Sequence, residues 1–273
     1  MNQDEISVTV AGTPVRAYRA GAGPALVLLH GGGLDDAQLT WAPVWAQLTP
    51  HAQVIAPDLP GFGGSPLGPT PATLEGYRAW LVEFLDACQL DRVFLAGLSL
   101  GGGIALRAAL DEPDRVRALA LIAPYGVSPR LPGGKTGYFS VHTPGVAGFT
   151  DAVLRHSDRL LLTSLRALLH RPDAVTQELV TQVRALLTQP DAGAAWSTFQ
   201  HHEVEWAGPA PTSATTSPAS PAQPCCCQAS RTSWSRLTTS GQPPPESRVP
   251  GSCWSLAPAT GCPATPPTRS PSS

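Results

Sequence analysis

The chain has 273 residues with 18 basic and 20 acidic side chains, a formal net charge of −2. This length can bury a full core, as one large α/β domain or two small ones, and the weak net charge excludes a basic surface for nucleic acid or anionic lipid. The first residues, MNQDEISVTV, lack the regions of a signal peptide, and every apolar run is shorter than the roughly 20 residues that cross a bilayer. We therefore expect a cytoplasmic protein without a membrane partner.

Short apolar runs predict the strands of a buried sheet. Residues 6–10 and 14–20 alternate between apolar and polar types around a short turn, which predicts a hairpin. Continuous apolar runs follow at residues 25–30, 53–58, 92–97 and 117–123. Runs of this length, separated by helices, are typical of parallel strands that are buried on both faces.

Apolar side chains recur at helical spacing in the segments between these runs. Residues 71–88 repeat apolar side chains every three or four positions, and we expect Thr70 as the N-cap with Pro71 at the first helical position. Cys88 lies on this apolar stripe, which favours a buried small side chain over a reactive thiol. Residues 100–110 predict a second helix. The alternation of strands and helices predicts a doubly wound α/β fold, with reactive groups at the carboxyl ends of the strands.

The motif GLSLG at residues 97–101 predicts a reactive serine, Ser99. It follows a predicted strand directly and opens a helix, so Ser99 lies on a tight strand-to-helix turn that exposes its hydroxyl. Small residues are needed where the strand and the helix approach each other, and Gly97 and Gly101 provide them. The free N–H groups at the start of the helix point toward developing negative charge.

A second glycine motif, HGGG at residues 30–33, follows the strand ALVLL. The N–H of Gly32 or Gly33, with that of Leu100, would form an oxyanion hole for a substrate carbonyl oxygen. His30 is expected to be structural, because a lone histidine at a strand end is more often a scaffold residue than a catalyst.

The segments LLHGGG, APDLPGFGGS, LAGLSLGGGIAL and DEPDRVRALALIAP, in this order and spacing, resemble the α/β-hydrolase fold family. The likeness is to its serine-nucleophile members with a helical cap, and it covers about residues 5–206. It implies a doubly wound, mostly parallel sheet and a small-molecule substrate with a carbonyl that Ser99 attacks, without cofactor or metal. Family members with an aspartate nucleophile, the dehalogenases and epoxide hydrolases, are disfavoured because Ser99 holds that position.

The composition divides the chain into three parts. Residues 1–127 are expected to form the hydrolase core with the nucleophile elbow, and residues 128–206 a helical cap in which HHEVE (201–205) is a solvated helix face. Residues 207–273 form a proline-, serine-, threonine- and cysteine-rich tail that is expected to be disordered and to offer no strand, since it holds few apolar residues. Three contiguous cysteines, Cys225 to Cys227, lack the paired spacing of a zinc site.

The resemblance implies a late Asp and a later His that would complete a catalytic triad. No histidine follows His202 and no aspartate follows Asp191, so the triad is incomplete as written. We interpret the tail as the family's own C-terminal third read in a shifted frame. One lysine against 17 arginines indicates a GC-rich gene. When each codon is rebuilt from the last base of one codon and the first two bases of the following codon, the three cysteine codons read as leucine codons.

The shifted frame also restores the residue types of the triad. An Asp or His codon straddles Arg231 and Thr232 after one apolar run, and a His or Asp codon straddles Ala259 and Thr260 after another. The sequence thus predicts a serine hydrolase acting on an ester or related carbonyl substrate through an acyl-enzyme on Ser99. The alternative is a catalytically impaired remnant or ligand-binding module that lacks the Asp and His.

Overall fold

The computed structural model of the chain describes residues 3–127, 134–143, 145–146, 153–169, 174–205, 208–209 and 225–227. All of these residues belong to one unit, Met1–Thr238, and the second unit, Thr239–Ser273, lies outside the described residues. The strands are β1 Asp4–Val10, β2 Thr13–Ala20, β3 Ala25–Leu29, β4 Gln53–Pro57, β5 Val93–Leu98, β6 Val116–Ile122, β7 Val204–Glu205, β8 Gly208–Pro209 and β9 Cys225–Cys227.

In the described part of the chain, seven of these strands form one sheet in the order β1-β2-β4-β3-β5-β6-β9. The strands β1, β2 and β4 pair antiparallel, whereas β4, β3, β5, β6 and β9 run parallel to one another. The strands β7 and β8 form a separate antiparallel pair. The predicted hairpin and the four predicted apolar strands are confirmed.

Helices cover both faces of the sheet. Their bounds are α1 Ala37–Leu48, α2 Leu74–Ala87, α3 Leu100–Asp111, a 3-10 turn Pro113–Arg115, α4 Gly134–His142, a turn of helix at 153–156, α5 Asp158–Leu168, α6 Gln177–Leu187 and α7 Ala194–Glu203. The helices α2 and α3 bury Phe84 and Ile104 in the larger core, on one face of the sheet. The helix α1 buries Trp41 and Trp45 against the opposite face. The doubly wound α/β class is therefore confirmed.

The first turn of α2 differs from the prediction. The helix begins at Leu74, with Thr73 rather than Thr70 as its N-cap. The Thr73 hydroxyl accepts a hydrogen bond from the Gly76 N–H at 3.0 Å, which satisfies one of the donors that a helix start leaves free. Glu203, 129 residues away, accepts a second one from the Leu74 N–H at 2.8 Å. This long-range partner leaves no signal in the local sequence.

The expectation that the tail offers no strand is wrong at Cys225–Cys227. These residues form β9, which pairs in parallel with the outer edge of β6, Cys225 opposite Ala120 and Cys227 opposite Ile122. An edge strand presents unpaired backbone donors and acceptors, and an extended segment satisfies them whatever its composition. Gly208–Pro209, also in the predicted tail, form β8, so the expectation is wrong there too. The other residues of the tail lie outside the described ranges. The division into core, cap and tail stays a prediction.

The helices α5 and α6 enclose a small core of their own. Leu161 and Leu165 of α5 pack against Val183 and Leu187 of α6. Partly buried side chains from the segment after β3, Leu34 and Leu39, also pack on this cluster. Within the described ranges, no helix is both long enough and apolar enough to cross a membrane. The cytoplasmic location stays a prediction.

Cys88 is expected to react slowly with thiol reagents in the folded protein. Its side chain is half-buried against the core at the end of α2, and burial raises the pKa of the thiol to about 11. Since the thiolate is the reacting form, alkylation of Cys88 near neutral pH should be on the order of 10²-fold slower than for an unperturbed thiol. Iodoacetamide labelling, followed on the Cys88 peptide by mass spectrometry, measures this rate. The same peptide in guanidinium chloride is the control, and equal rates in the two conditions would contradict the burial of Cys88.

Candidate active site

Ser99 lies on a strained turn between β5 and α3. Its backbone has φ 49° and ψ −112°, a conformation that is rare for a residue with a side chain. The Ser99 N–H donates to the Ile122 carbonyl at 2.9 Å, and the Ser99 carbonyl accepts from the Tyr125 N–H at 2.8 Å. These bonds join the turn to β6 and to the segment that follows it. They hold the serine in the geometry predicted from GLSLG.

Gly97 and Gly101 lie where the backbones of neighbouring segments approach each other closely. A Cβ atom on Gly97 would overlap the carbonyl group of Gly101, and one on Gly101 would overlap the carbonyl oxygens of Leu29 and His30. Gly101 also donates its N–H to the His30 carbonyl at 3.1 Å. Any larger residue at either position would push α3 away from the sheet. The start of α3 is therefore packed directly on the end of β3, where the HGGG turn begins.

His30 is fully buried, and both of its ring nitrogens are occupied. The Leu59 N–H donates to Nε2 at 2.9 Å, so the ring proton is on Nδ1, which donates to the Gly31 carbonyl at 2.7 Å. These bonds join the HGGG turn to the loop after β4. His30 is thus a scaffold residue, as expected, and its ring is not directed at Ser99.

The HGGG turn lies directly beside Ser99. A Cβ atom on Gly31 would be 3.7 Å from the Ser99 Cβ and 2.9 Å from Asp35 Oδ2. The Gly31 N–H is already used, because it donates to Asp35 Oδ2 at 2.8 Å. Among the described residues, no acceptor takes a hydrogen bond from the N–H groups of Gly32, Gly33 and Leu100. None of these three N–H groups therefore has a hydrogen-bond partner within the described residues.

A buried charge network, which has no signature in the local sequence, is centred on Asp58 in the loop after β4. Asp58 is fully buried. Its Oδ2 atom accepts hydrogen bonds from Arg16 Nε at 2.6 Å and from the Gly64 N–H at 2.8 Å. Its Oδ1 atom accepts one from the Ala37 N–H at 3.0 Å. The same guanidinium reaches Asp36 Oδ2 at 3.2 Å. Burial raises the pKa of the Asp36 carboxyl, against the hydrogen bond from the Leu39 N–H, which lowers it. The network joins β2, the start of α1 and the loop after β4.

Aromatic side chains of α7 cover the HGGG turn. The benzo ring of Trp196 lies against Gly32, where a Cβ atom would overlap its Cζ3 and Cε3 atoms. The indole stacks on Phe199, with ring centroids 5.5 Å apart and planes 12° apart. Phe199 is fully buried and packs edge-on against Tyr125 at 5.1 Å. A continuous aromatic contact thus joins α7 to the residue that hydrogen-bonds the Ser99 carbonyl.

The HHEVE segment lies mostly at the end of α7. His201 and His202 are exposed, in agreement with a solvated face, but Glu203 caps α2. The His201 ring lies edge-on to that of His142 at 5.0 Å, and His142 Nε2 donates to the Val204 carbonyl at 2.9 Å. The described residues contain no group of three or more His, Cys, Asp or Glu side chains that could hold a metal ion.

The Ser99 hydroxyl has no side-chain partner within the described residues. Neither His142 nor His201, nor any other described side chain, forms a hydrogen bond with it. The roles predicted for Ser99, Gly32, Gly33 and Leu100 stay predictions.

Comparison with known proteins gives the family. The profile of the α/β-hydrolase fold matches residues 24–244. The chain is 41% identical over 130 residues to 2-hydroxy-6-oxo-2,4-heptadienoate hydrolase of Pseudomonas putida, which covers 46% of this chain and 47% of that protein. It is 39% identical over 109 residues to pimeloyl-[acyl-carrier protein] methyl ester esterase of Aeromonas hydrophila, covering 40% and 41%. The chain thus spans about half the length of the curated relatives it matches, or less.

Solved structures agree on the fold. Cfl2 from Burkholderia cenocepacia superposes with a TM-score of 0.59 at 25% identity, covering 71% of this chain and 70% of that one. The haloalkane dehalogenase DatA from Agrobacterium tumefaciens gives 0.59 at 23% identity, covering 72% and 67%, a likeness of fold alone. With the sheet order, the strand-to-helix serine and a family match over most of its length, the chain belongs to the α/β-hydrolase fold family.

Proposed function

We propose that the site is that of a serine hydrolase, which cleaves an ester or related carbonyl compound through an acyl-enzyme on Ser99. The observation that carries the proposal is the strained backbone of Ser99, with φ 49°, at the start of α3. Strain of this kind persists only where the surrounding structure imposes it, and it is concentrated at functional sites. Relatives named as a hydrolase and as a methyl ester esterase support a carbonyl substrate.

The reaction would run in two stages. The Ser99 oxygen forms a bond to the substrate carbonyl carbon, and the negative charge moves onto the carbonyl oxygen. The N–H groups of Leu100 and of Gly32 or Gly33 would donate to that oxygen, because no described acceptor occupies them. The bond from that carbon to the alcohol oxygen breaks, and the leaving alcohol carries away the proton of the Ser99 hydroxyl as the acyl-enzyme forms. Water then attacks the same carbon, the bond to the Ser99 oxygen breaks, and one proton of the water ends on Ser99 as the acid is released.

The helices α4–α7 are proposed to act as the cap of this site. The contact between Trp196 and Gly32, and the packing of Leu34 and Leu39 against α5 and α6, support this role. A cap in this position excludes bulk water from the oxyanion donors and so strengthens their interaction with developing charge.

A second candidate is favoured by the missing base. A serine hydroxyl is a weak nucleophile without a neighbouring base, and no described side chain provides one. We therefore propose that the chain as written is a catalytically impaired form of the hydrolase. The strand β9 supports the shifted-frame interpretation, since it stands where the shifted reading has its leucine strand, next to β6.

Ester turnover separates these candidates. With p-nitrophenyl butyrate, we expect the chain to hydrolyse faster than buffer, but far below about one per second, a typical enzymatic rate. Ser99→Ala should change this residual rate little, because the oxyanion donors and binding alone keep about 10³–10⁴-fold acceleration over water when a member of the triad is missing. A rate no faster than buffer would contradict both candidates. A Ser99-dependent rate above about one per second would mean that a base exists in this chain, and the impaired form would be wrong.

A further inference from the structure

The three heavy atoms nearest to a Cβ atom placed on Gly32, in the HGGG turn, all belong to Trp196. Its benzo ring lies so close to Gly32 that even a methyl group on that glycine would overlap it. Gly31, the neighbouring residue of the turn, is the one that borders Ser99. A carbonyl oxygen bound by the Gly32 N–H would therefore lie close to this indole.

The indole is held in place from behind. It stacks on Phe199, which is fully buried and also contacts the rings of Tyr77 at 6.1 Å and Tyr125 at 5.1 Å. The preceding residue, Ala195, is packed on the loop after β4, where a Cβ atom on Gly61 would overlap its methyl group. Moving Trp196 aside would break this stack, because well-packed interiors leave no room for a second arrangement without cost.

We propose that Trp196 determines the shape of the acyl group that the site accepts. Planar acyl groups, in which the carbon next to the carbonyl belongs to an aromatic or conjugated system, fit beside the indole. Acyl groups with a fully branched carbon at that position collide with it. A planar system occupies about 3.5 Å in thickness at van der Waals contact, whereas a quaternary carbon extends methyl groups on both sides of that plane. The proposal rests on the proposed function, because it assumes that a carbonyl or carboxylate oxygen occupies the free donors of the turn.

The test uses equilibrium binding of product-like acids and needs no turnover. The probes are 4-fluorobenzoate, which is planar, and 3,3,3-trifluoro-2,2-dimethylpropanoate, which is fully branched, each titrated with the full-length chain and followed by fluorine NMR. We expect the planar acid to bind at least about tenfold more tightly, the size of effect that one misplaced carbon produces in a closed pocket. In Trp196→Ala, this preference should fall by about tenfold because the branched acid gains the vacated space.

The matched control is Phe139→Ala, which removes an exposed aromatic side chain from α4. This variant should keep the preference of the unchanged chain. If Trp196→Ala fails to fold by circular dichroism, Trp196→Phe replaces it, and the smaller ring should shift the preference in the same direction by about threefold. An unchanged preference in the folded variant, an equal shift in Phe139→Ala, or binding of neither acid would overturn the proposal.

The Ser99→Ala variant separates this proposal from the proposed function. Its acid preference should match that of the unchanged chain, because Trp196 and the donors of the turn remain in place. If the preference responds to Trp196 while an alkyl fluorophosphonate forms no adduct on Ser99, the shape selection stands and the acyl-enzyme mechanism fails. If the adduct forms on Ser99 and the preference ignores Trp196, the acyl-enzyme mechanism stands and the shape selection fails.

Discussion

Inserting one base into the codons for residues 206–209 is expected to raise p-nitrophenyl butyrate turnover by about 10⁶-fold. The insertion places the chain in the frame in which an Asp or His codon straddles Arg231 and Thr232, and a His or Asp codon straddles Ala259 and Thr260. Removing the serine or histidine of a triad costs about this much in turnover, and the oxyanion donors and binding alone leave about 10³–10⁴-fold acceleration over water. The chain as written should remain at that lower level.

Two controls make the frame test specific. Ser99→Ala in the restored chain should return turnover to the level of the chain as written. Changing the restored codon that straddles Ala259 and Thr260 to alanine should do the same, because the triad acts as a unit and losing either member removes most of the effect. A restored chain that folds but gains less than about tenfold would contradict the shifted-frame interpretation. Clean nucleotide reads through codons 206–209, with the same proline-rich tail in intact relatives, would contradict it independently.

Asp58→Asn is expected to destabilise the fold by about 3–5 kcal/mol, the cost of breaking a buried charge pair. The fully buried Asp58 accepts on one oxygen from Arg16 and Gly64 and on the other from Ala37. An asparagine amide would turn an NH₂ group toward one of these sets of donors, which leaves buried N–H groups without an acceptor. The loss should appear as a lower urea midpoint with an unchanged slope.

Asp36→Asn is the matched control, because Asp36 also contacts Arg16 and undergoes the same chemical change. Burial raises the pKa of Asp36, so folding favours the neutral form of this carboxyl. The stability that it contributes is therefore lost as pH rises from the ordinary pKa of aspartate through the raised pKa of the folded state. Asparagine is neutral and caps helices as well as aspartate, and it can still accept from the Leu39 N–H. We expect a change within about 1 kcal/mol near neutral pH. Similar losses in both variants would contradict the central role of Asp58.

Local periodicity predicted the core of the fold, since each strand of the sheet from β1 to β6 coincides with an alternating or continuous apolar run. The same reasoning did not find α1, which contains Pro43, a residue that normally ends a helix. It also placed the start of α2 three residues early. Thr73 and the distant Glu203 cap that helix, and contacts over 129 residues carry no local signature.

The candidate site could be predicted in part for the same reason. Ser99 and its glycines form a contiguous motif between a strand and a helix, and this context predicts a tight turn with a strained backbone. Ser99 has such a backbone in the structure. Arg16, Asp58 and Trp196 come from separate segments that only folding brings to the HGGG turn. A single sequence offers no signal for them beyond the general rule that buried charges are paired.

The placement of β9 shows a different limit. Composition argued against any strand in the tail, because a segment with few apolar residues cannot form a core. Pairing at a sheet edge depends on backbone groups, and β6 provides an unpaired edge for Cys225–Cys227. The shifted-frame interpretation, in which the same three codons read as leucines, stays a prediction.

Ser99 is the proposed reactive group of the site. The most direct measurement is prolonged incubation of the chain as written with an alkyl fluorophosphonate, followed by tandem mass spectrometry to locate the adduct. The strained turn and the free donors beside it predict a single phosphonyl group on Ser99, formed slowly because no base assists, and absent from a chain unfolded in guanidinium chloride. An adduct on another serine, or equal labelling of the folded and unfolded chains, would contradict the account.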